Sequence, residues 1–121
     1  MGGGAEKRRF KRVTITSIAD MVLVNEKNEK KEFRAYVGGI SRGGMEIYTQ
    51  EILRPGNEIK IRLRFIDVSG KEALEEIQAQ VKWASQFSDA HVAGLEFAEV
   101  IGDENYPALL AYLEQAEKFF A

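Results

Sequence analysis

Residues 58–65 read Glu58-Ile59-Lys60-Ile61-Arg62-Leu63-Arg64-Phe65, an unbroken alternation of apolar and charged side chains. Successive side chains of an extended strand point to opposite faces, so Ile59, Ile61, Leu63 and Phe65 share one face while the charges occupy the other. Such a pattern predicts an antiparallel strand with a core face and a water face. Ile77–Trp83 repeats it, with Ile77, Ala79, Val81 and Trp83 on the core face and Gln78, Gln80 and Lys82 opposite. These two segments set the class of the domain as mainly β.

Weaker strands flank this pair. Val13–Val24 is rich in β-branched residues, and a bend or bulge is expected near Ile18–Asp20, where its alternation slips. The polar stretch Asn25–Lys30 connects to Glu32–Val37, in which Phe33, Ala35 and Val37 share a face. Met45–Tyr48 is a short strand, Arg54-Pro55-Gly56-Asn57 is a turn, and Val92–Phe97 is the last strand. The period then changes: Leu109, Leu110, Leu113, Ala116 and Phe120 recur at helical steps, with Asp103 or Asn105 as cap and Pro107 in the first turn. The expected architecture is a small antiparallel barrel with a helical appendage at 103–120. The helix either packs on its own barrel or, through Tyr106, Tyr112 and Phe119, offers a contact to a partner.

Composition narrows the function classes. A chain of 121 residues with 45% hydrophobic residues fits one domain with a core of its own. There is no cysteine, which excludes disulfides and thiolate metal sites and agrees with a reducing compartment. No apolar run approaches the roughly 20 residues that span a bilayer, and no apolar signal core opens the chain, so the cytoplasm is the expected location, without membrane insertion. His91 is the only histidine. A lone histidine makes no multi-histidine metal centre, and Ser41 has no evident base partner, so neither a catalytic residue nor a metal site is expected and the protein is read as a non-enzyme.

The net charge of -2 hides an uneven distribution: Lys7, Arg8, Arg9, Lys11 and Arg12 place five cations in six positions around Phe10. A basic tract on an otherwise acidic chain is either a solvated arm or a site for a local anionic partner. Guanidinium groups bind phosphate bidentately and can address the O6 and N7 edge of guanine. The second constellation is Gly39-Ile40-Ser41-Arg42-Gly43-Gly44, between two expected strands. It lacks the Lys-Ser/Thr ending of a P-loop and leads into no helix. It is either a tight turn or a backbone surface that a ligand can approach closely.

Taken in order, these residues resemble the PilZ family, whose motif is Arg-x-x-x-Arg followed by Asp/Asn-x-Ser-x-x-Gly. Arg8 and Arg12 match the first element, and Gly39, Ser41 and Gly44 occupy the second. Val81-Lys82-Trp83 and Gly94-Leu95-Glu96-Phe97 extend the similarity, which covers nearly the whole chain after Glu6. The resemblance implies a six-stranded antiparallel barrel with a C-terminal helix that binds cyclic di-GMP and has no other cofactor. With the glycine-rich residues 1–6 read as a disordered start, the expectation is one domain over 7–121, divided into an arm at 7–12, a barrel at 13–97 and the helix at 103–120. By the same resemblance Arg8 and Arg12 contact phosphate and guanine, Ser41 hydrogen-bonds the ligand and Gly44 is the close-approach glycine. Gly39 departs from the pattern, having no side chain to accept from the guanine N1–H and amino group. A good bidentate base contact is worth about 1–3 kcal/mol, so the loss corresponds to roughly tenfold to over a hundredfold in affinity.

Three functions follow from this reading. The first is a cyclic di-GMP receptor that orders its arginine arm over the nucleotide and signals to a protein effector. The second is a PilZ-like interaction module that has lost its ligand, for which Gly39 is the support. The third, a nucleic-acid-binding barrel, fits poorly, because such proteins spread their cations and aromatics over the barrel face.

Overall fold

The computed structural model describes residues 17–120. Among them are six strands and one helix: β1 (Ser17–Val24), β2 (Lys30–Ile40), β3 (Gly44–Thr49), β4 (Glu58–Ile66), β5 (Glu72–Phe87), β6 (Ala90–Phe97) and α1 (Pro107–Phe120). The arm expected at 7–12, with Arg8 and Arg12, lies outside the described residues. All neighbouring strands are antiparallel, and the sheet closes into a barrel in the order β1-β2-β3-β6-β5-β4. Four of the six seams join strands adjacent in sequence; β3–β6 and β1–β4 are the two that bring distant segments together.

The alternating segments behave as their period requires. Ile59, Ile61 and Leu63 of β4 are buried inside the barrel, opposite Ala79, Ile77 and Glu75 of β5. Each buried side chain of this size contributes about 1.5–3 kcal/mol, whereas an exposed ion pair contributes about 0–1 kcal/mol. The outer-face pairs Arg34–Asp20, Arg62–Glu76 and Arg64–Glu72 therefore mark the register more than they hold it. Helix α1 covers the core with Leu109, Leu110, Leu113 and Ala116, all buried, and Tyr112 packs on Phe65 with ring centroids 5.2 Å apart. Packing on its own barrel is thus the use made of Tyr112.

Three local expectations are corrected. β1 pairs with β2 in unbroken register from Ser17 to Val24, so there is no bulge at Ile18–Asp20; Ile18 is an exposed apolar residue opposite Tyr36. The register shifts instead between Val37 and Gly39 and between Val81 and Trp83. The second shift gives β5 an extra residue at Lys82, so Trp83, expected in the core, is turned to the outer face and is 44% exposed. At the helix start Pro107 is the first helical residue, and the Leu110 N–H donates to the Tyr106 carbonyl, making Tyr106 the cap position. Asn105 organises the preceding turn: its Oδ1 accepts from Gly102 N–H and its Nδ2 donates to the Val100 carbonyl.

The other turns follow the sequence. Arg54–Asn57 closes with the Asn57 N–H on the Arg54 carbonyl at 3.0 Å, and Gly56 takes the positive φ of 95° that its turn position needs. Asn25 closes the β1–β2 connection by accepting from the Lys27 and Glu29 N–H groups. Among the described residues no buried side-chain polar atom lacks a hydrogen-bond partner.

Glu75 faces the same side of the sheet as Leu63, and the partial burial that results raises its carboxyl above the ordinary 4.5. A raised acid disfavours folding once it must ionise: the penalty is absent below the unfolded value and develops as pH rises through the folded one. Glu75→Gln is expected to raise the melting temperature near neutral pH and to leave it unchanged in buffers well below pH 4.5, as measured by thermal denaturation at both conditions.

Candidate functional site

The connection between β2 and β3 is shorter than the glycine run suggested. Gly39 and Ile40 belong to β2, and only Ser41, Arg42 and Gly43 lie between the strands. Backbone and side-chain bonds fix this turn. Ser41 N–H donates to the Gly44 carbonyl at 2.8 Å, and Gly43 N–H donates to Ser41 Oγ at 3.2 Å. The Ser41 hydroxyl in turn donates to the Gly44 carbonyl at a long 3.4 Å. Ser41 is therefore first a turn residue, and its own donor bond is long and weak.

The turn is also tied to the segment after β6. Phe97 N–H donates to the Gly43 carbonyl at 2.9 Å. Arg42 Nε donates to the Ile101 carbonyl at 2.9 Å, and Ile101 N–H returns a bond to the Arg42 carbonyl at 2.8 Å. Gly44 then starts β3 opposite Glu96. A Cβ placed on Gly44 would collide with the Leu95 carbonyl. The close approach that demands glycine here is that of the neighbouring strand.

Beside this turn, on the outer wall of the barrel, lies a groove of about 510 Å³. Its lining includes Ser41, Gly43 and Gly44 from the turn, Glu46 from β3, Lys82 and Trp83 from β5, and Gly94 and Glu96 from β6. Lys82 Nζ lies 3.5 Å from Glu96 Oε1. Trp83 reaches the groove because of the Lys82 bulge, and its indole lies over Gly94, where any Cβ would overlap the ring. On the other side of Glu46, Tyr48 leans over Gly38, and its hydroxyl donates to Glu46 Oε1 at 3.1 Å.

Of the residues assigned from the sequence, Ser41 and Gly44 meet at the groove. Gly39 is buried in β2 as the direct partner of Glu46 and is not among the groove's lining residues. Arg8 and Arg12 lie outside the described residues. Glu46, Lys82, Trp83 and Glu96 were not assigned a role; the pairing of Val81-Lys82-Trp83 with Gly94-Leu95-Glu96-Phe97 was the available signal, and it needed the β5–β6 register to become a site. Among the described residues no cluster of histidine, cysteine, aspartate or glutamate side chains could hold a metal ion, and no helix is long and apolar enough to cross a membrane.

These features define a small closed barrel that carries a ligand-sized groove on its outer wall, beside a Ser-x-x-Gly turn. The chain belongs to the PilZ domain family, whose model matches residues 6–115. No curated protein sequence matches it significantly. Among solved structures it is similar to the Bacillus subtilis inhibitor of motility MotI/DgrA, with a TM-score of 0.62 and 18% identity over 93% of this chain and 53% of that one. It is similar to Escherichia coli YcgR in complex with c-di-GMP at a TM-score of 0.62 and 16% identity, over 93% of this chain and 47% of that chain. The PilZ domain of YcgR with c-di-GMP matches at a TM-score of 0.59 and 16% identity, over 93% and 96% of the two chains. The chain thus spans about half the length of the first two. At these identities the likeness shows the fold.

Two substitutions test the steric reading. Gly44→Ala forces a methyl into the Leu95 carbonyl, which the β3–β6 pairing holds in place, and is expected to cost about 1–3 kcal/mol in chemical denaturation. Gly94→Ala displaces a side chain and leaves the backbone in place. Its expected effect is a smaller stability loss with a shifted fluorescence emission from Trp83, the only tryptophan.

Proposed function

We propose that this chain is a cyclic di-GMP receptor domain whose N-terminal arginine arm orders over nucleotide held in the groove and so presents a changed surface to a protein effector. The observation that carries this reading is the convergence of Ser41, Gly44, Lys82 and Trp83 on one groove of about 510 Å³, a volume in the range of small-molecule sites. The indole offers a stacking face for a base, the turn offers a displaceable hydroxyl donor, and Lys82 offers a cation near phosphate. YcgR and the K. pneumonia protein MrkH, which share this fold, are complexes with c-di-GMP in their solved structures.

The groove by itself is short of positive charge. Among the described residues that line it Lys82 is the only cation, and it pairs with Glu96 at 3.5 Å. A ligand with two phosphates needs more cations than this, and Lys7, Arg8, Arg9, Lys11 and Arg12 are the concentrated supply in the chain. Arg8 and Arg12 are the pair assigned to phosphate and guanine; Arg9 and Lys11 add long-range attraction. Ordering a residue costs about 1–2 kcal/mol of backbone entropy, so arm closure depends on those charge contacts.

Calorimetric titration with cyclic di-GMP is expected to give an affinity in the micromolar range that weakens as salt is raised, with a parallel change in Trp83 emission. The double variant Arg8→Ala with Arg12→Ala is expected to lower the affinity by at least about tenfold. Absence of heat and of any melting-temperature shift at high ligand, for the unaltered chain, refutes the receptor reading and leaves the protein-interaction module.

A further inference from the structure

Five large apolar side chains stand more than half exposed toward one end of the outer wall: Ile18 of β1, Tyr36 of β2, Ile66 of β4, Val68 in the β4–β5 turn and Leu74 of β5. Ile18 and Tyr36 are direct partners across the β1–β2 seam. Ile66 and Leu74 flank the Arg64–Glu72 ion pair, because Arg64 is opposite Leu74 and Ile66 is opposite Glu72. Their neighbours Leu63 and Phe65 are buried, so the alternation of β4 sends Arg64 and Ile66 outward. The β1–β4 seam ends at Asp20–Arg62; beyond it β1 runs back to Ser17 and β4 on to Ile66 in the same direction. Both sets therefore belong to the same end of the barrel.

The turn that carries Val68 is held by its own hydrogen bonds. Asp67 N–H donates to the Lys71 carbonyl at 2.8 Å, and Gly70 N–H donates to the Asp67 carbonyl at 2.9 Å. Asp67 Oδ1 accepts from the Ser69 and Lys71 N–H groups, and Glu72 is paired with Arg64 at 3.3 Å. Arg64 and Lys71 thus balance Asp67 and Glu72, and the tip carries no net charge. Positive charge comes from the chain that enters at this end. From Lys7 to Ala19 there are five cations and no acidic residue, and the tract leads into β1 at Ser17. Five residue steps separate Arg12 from Ser17, a span of at most about 18 Å. In the barrel order β1 lies between β2 and β4, so the tract is rooted between the Ser41 turn and the β4–β5 hairpin.

We propose that this end of the barrel is a peripheral contact for an anionic membrane surface: Ile66, Val68 and Leu74 settle among the lipid headgroups while the cations of 7–12 engage the lipid phosphates. A basic tract is drawn to anionic lipid over no more than a Debye length, and a few apolar side chains alone give marginal adsorption; together they supply the two signals that surface association needs. The polar backbone groups named above are already bonded within the turn, so headgroup burial leaves none of them without a partner. The contact is at headgroup level and is not a span. The cations involved are those that the receptor reading assigns to cyclic di-GMP. Resting on that reading, nucleotide and membrane compete for the tract, and cyclic di-GMP releases the domain from the surface.

The test is co-sedimentation of the full chain with vesicles of phosphatidylcholine and phosphatidylglycerol in equal parts, and with vesicles of phosphatidylcholine alone, each with and without cyclic di-GMP. The unaltered chain is expected to bind the anionic vesicles, more weakly as salt is raised, and not the neutral ones. Arg8→Ala with Arg12→Ala is expected to weaken binding by about tenfold to thirtyfold. Ile66→Ser with Val68→Ser is expected to weaken it by about tenfold at an unchanged melting temperature. Ile52→Ser serves as the control and is expected to change nothing: Ile52 is an exposed apolar residue beside Glu51, whose ion pair with Lys31 marks the opposite end of β1 and β2. Equal binding to both vesicle types, binding to neither, or unaltered binding by the Ile66→Ser, Val68→Ser chain overturns the contact. So does self-association in sedimentation velocity that those two substitutions abolish, since it gives the face to a second copy. Nucleotide that binds in calorimetry without reducing vesicle binding overturns the shared use of the tract. Vesicle binding with no heat from cyclic di-GMP removes the receptor reading and leaves the membrane contact standing.

Discussion

The structure depends on how closely β3 and β6 approach. A Cβ at position 44 would collide with the Leu95 carbonyl, so the seam closes only over glycine. That seam joins the three-stranded meander β1-β2-β3 to the meander β4-β5-β6, and with β1–β4 it turns a six-stranded sheet into a barrel. The core follows from closure: Met45 and Ile47 on β3 and Leu95 and Phe97 on β6 are buried only because both strands curve around the same interior. The turn before Gly44 is then anchored from β6 and beyond it, through Gly43 to Phe97 and Arg42 to Ile101. A rigid turn beside a groove is a by-product of the same close contact.

Two interruptions in the strand pairing shape the outer wall of the barrel. An ideal alternation would send Trp83 inward with Val81. The extra residue at Lys82 turns both Lys82 and Trp83 outward, next to Gly94. The shift between Val37 and Gly39 similarly sets Gly39 opposite Glu46. Bulges leave ladder bonds unmade and re-aim side chains, and here the one at Lys82 borders the groove while the other lies beyond Glu46 on β2. The large aromatic is then accommodated by a missing side chain on the neighbouring strand, as is Tyr48 over Gly38. Stacking surfaces on a barrel wall need such gaps, because a fully substituted outer face has no room for a ring to lie flat.

Charge is unevenly distributed between the wall and the N-terminal tract. The wall presents carboxylates at Glu46 on β3 and Glu96 on β6, with Lys82 on β5 at 3.5 Å from Glu96. The densest run of cations, Lys7 to Arg12, sits in the tract before residue 13. A ligand that is anionic on one side and donor-rich on another can satisfy both at once. In the proposed receptor, arm ordering and ligand occupancy are the same event.

Strand identity was legible in the sequence because the period of two is a local property: Ile59, Ile61 and Leu63 point inward whatever their neighbours are. The amphipathic helix and its Pro107 start were legible for the same reason, as was the Pro55-Gly56 turn. The family motif located Ser41 and Gly44 at the groove. What the tertiary structure alone decided was register between strands distant in sequence. Whether Trp83 faces in or out depends on an insertion at Lys82 relative to β6, and nothing within β5 itself distinguishes the two. Why position 44 must be glycine depends on the Leu95 carbonyl, some fifty residues away, and the Gly39–Glu46–Gly94–Trp83 row exists only where four strands align. Local chemistry chooses the elements; the pairing of backbones across the closed sheet chooses which side chains meet.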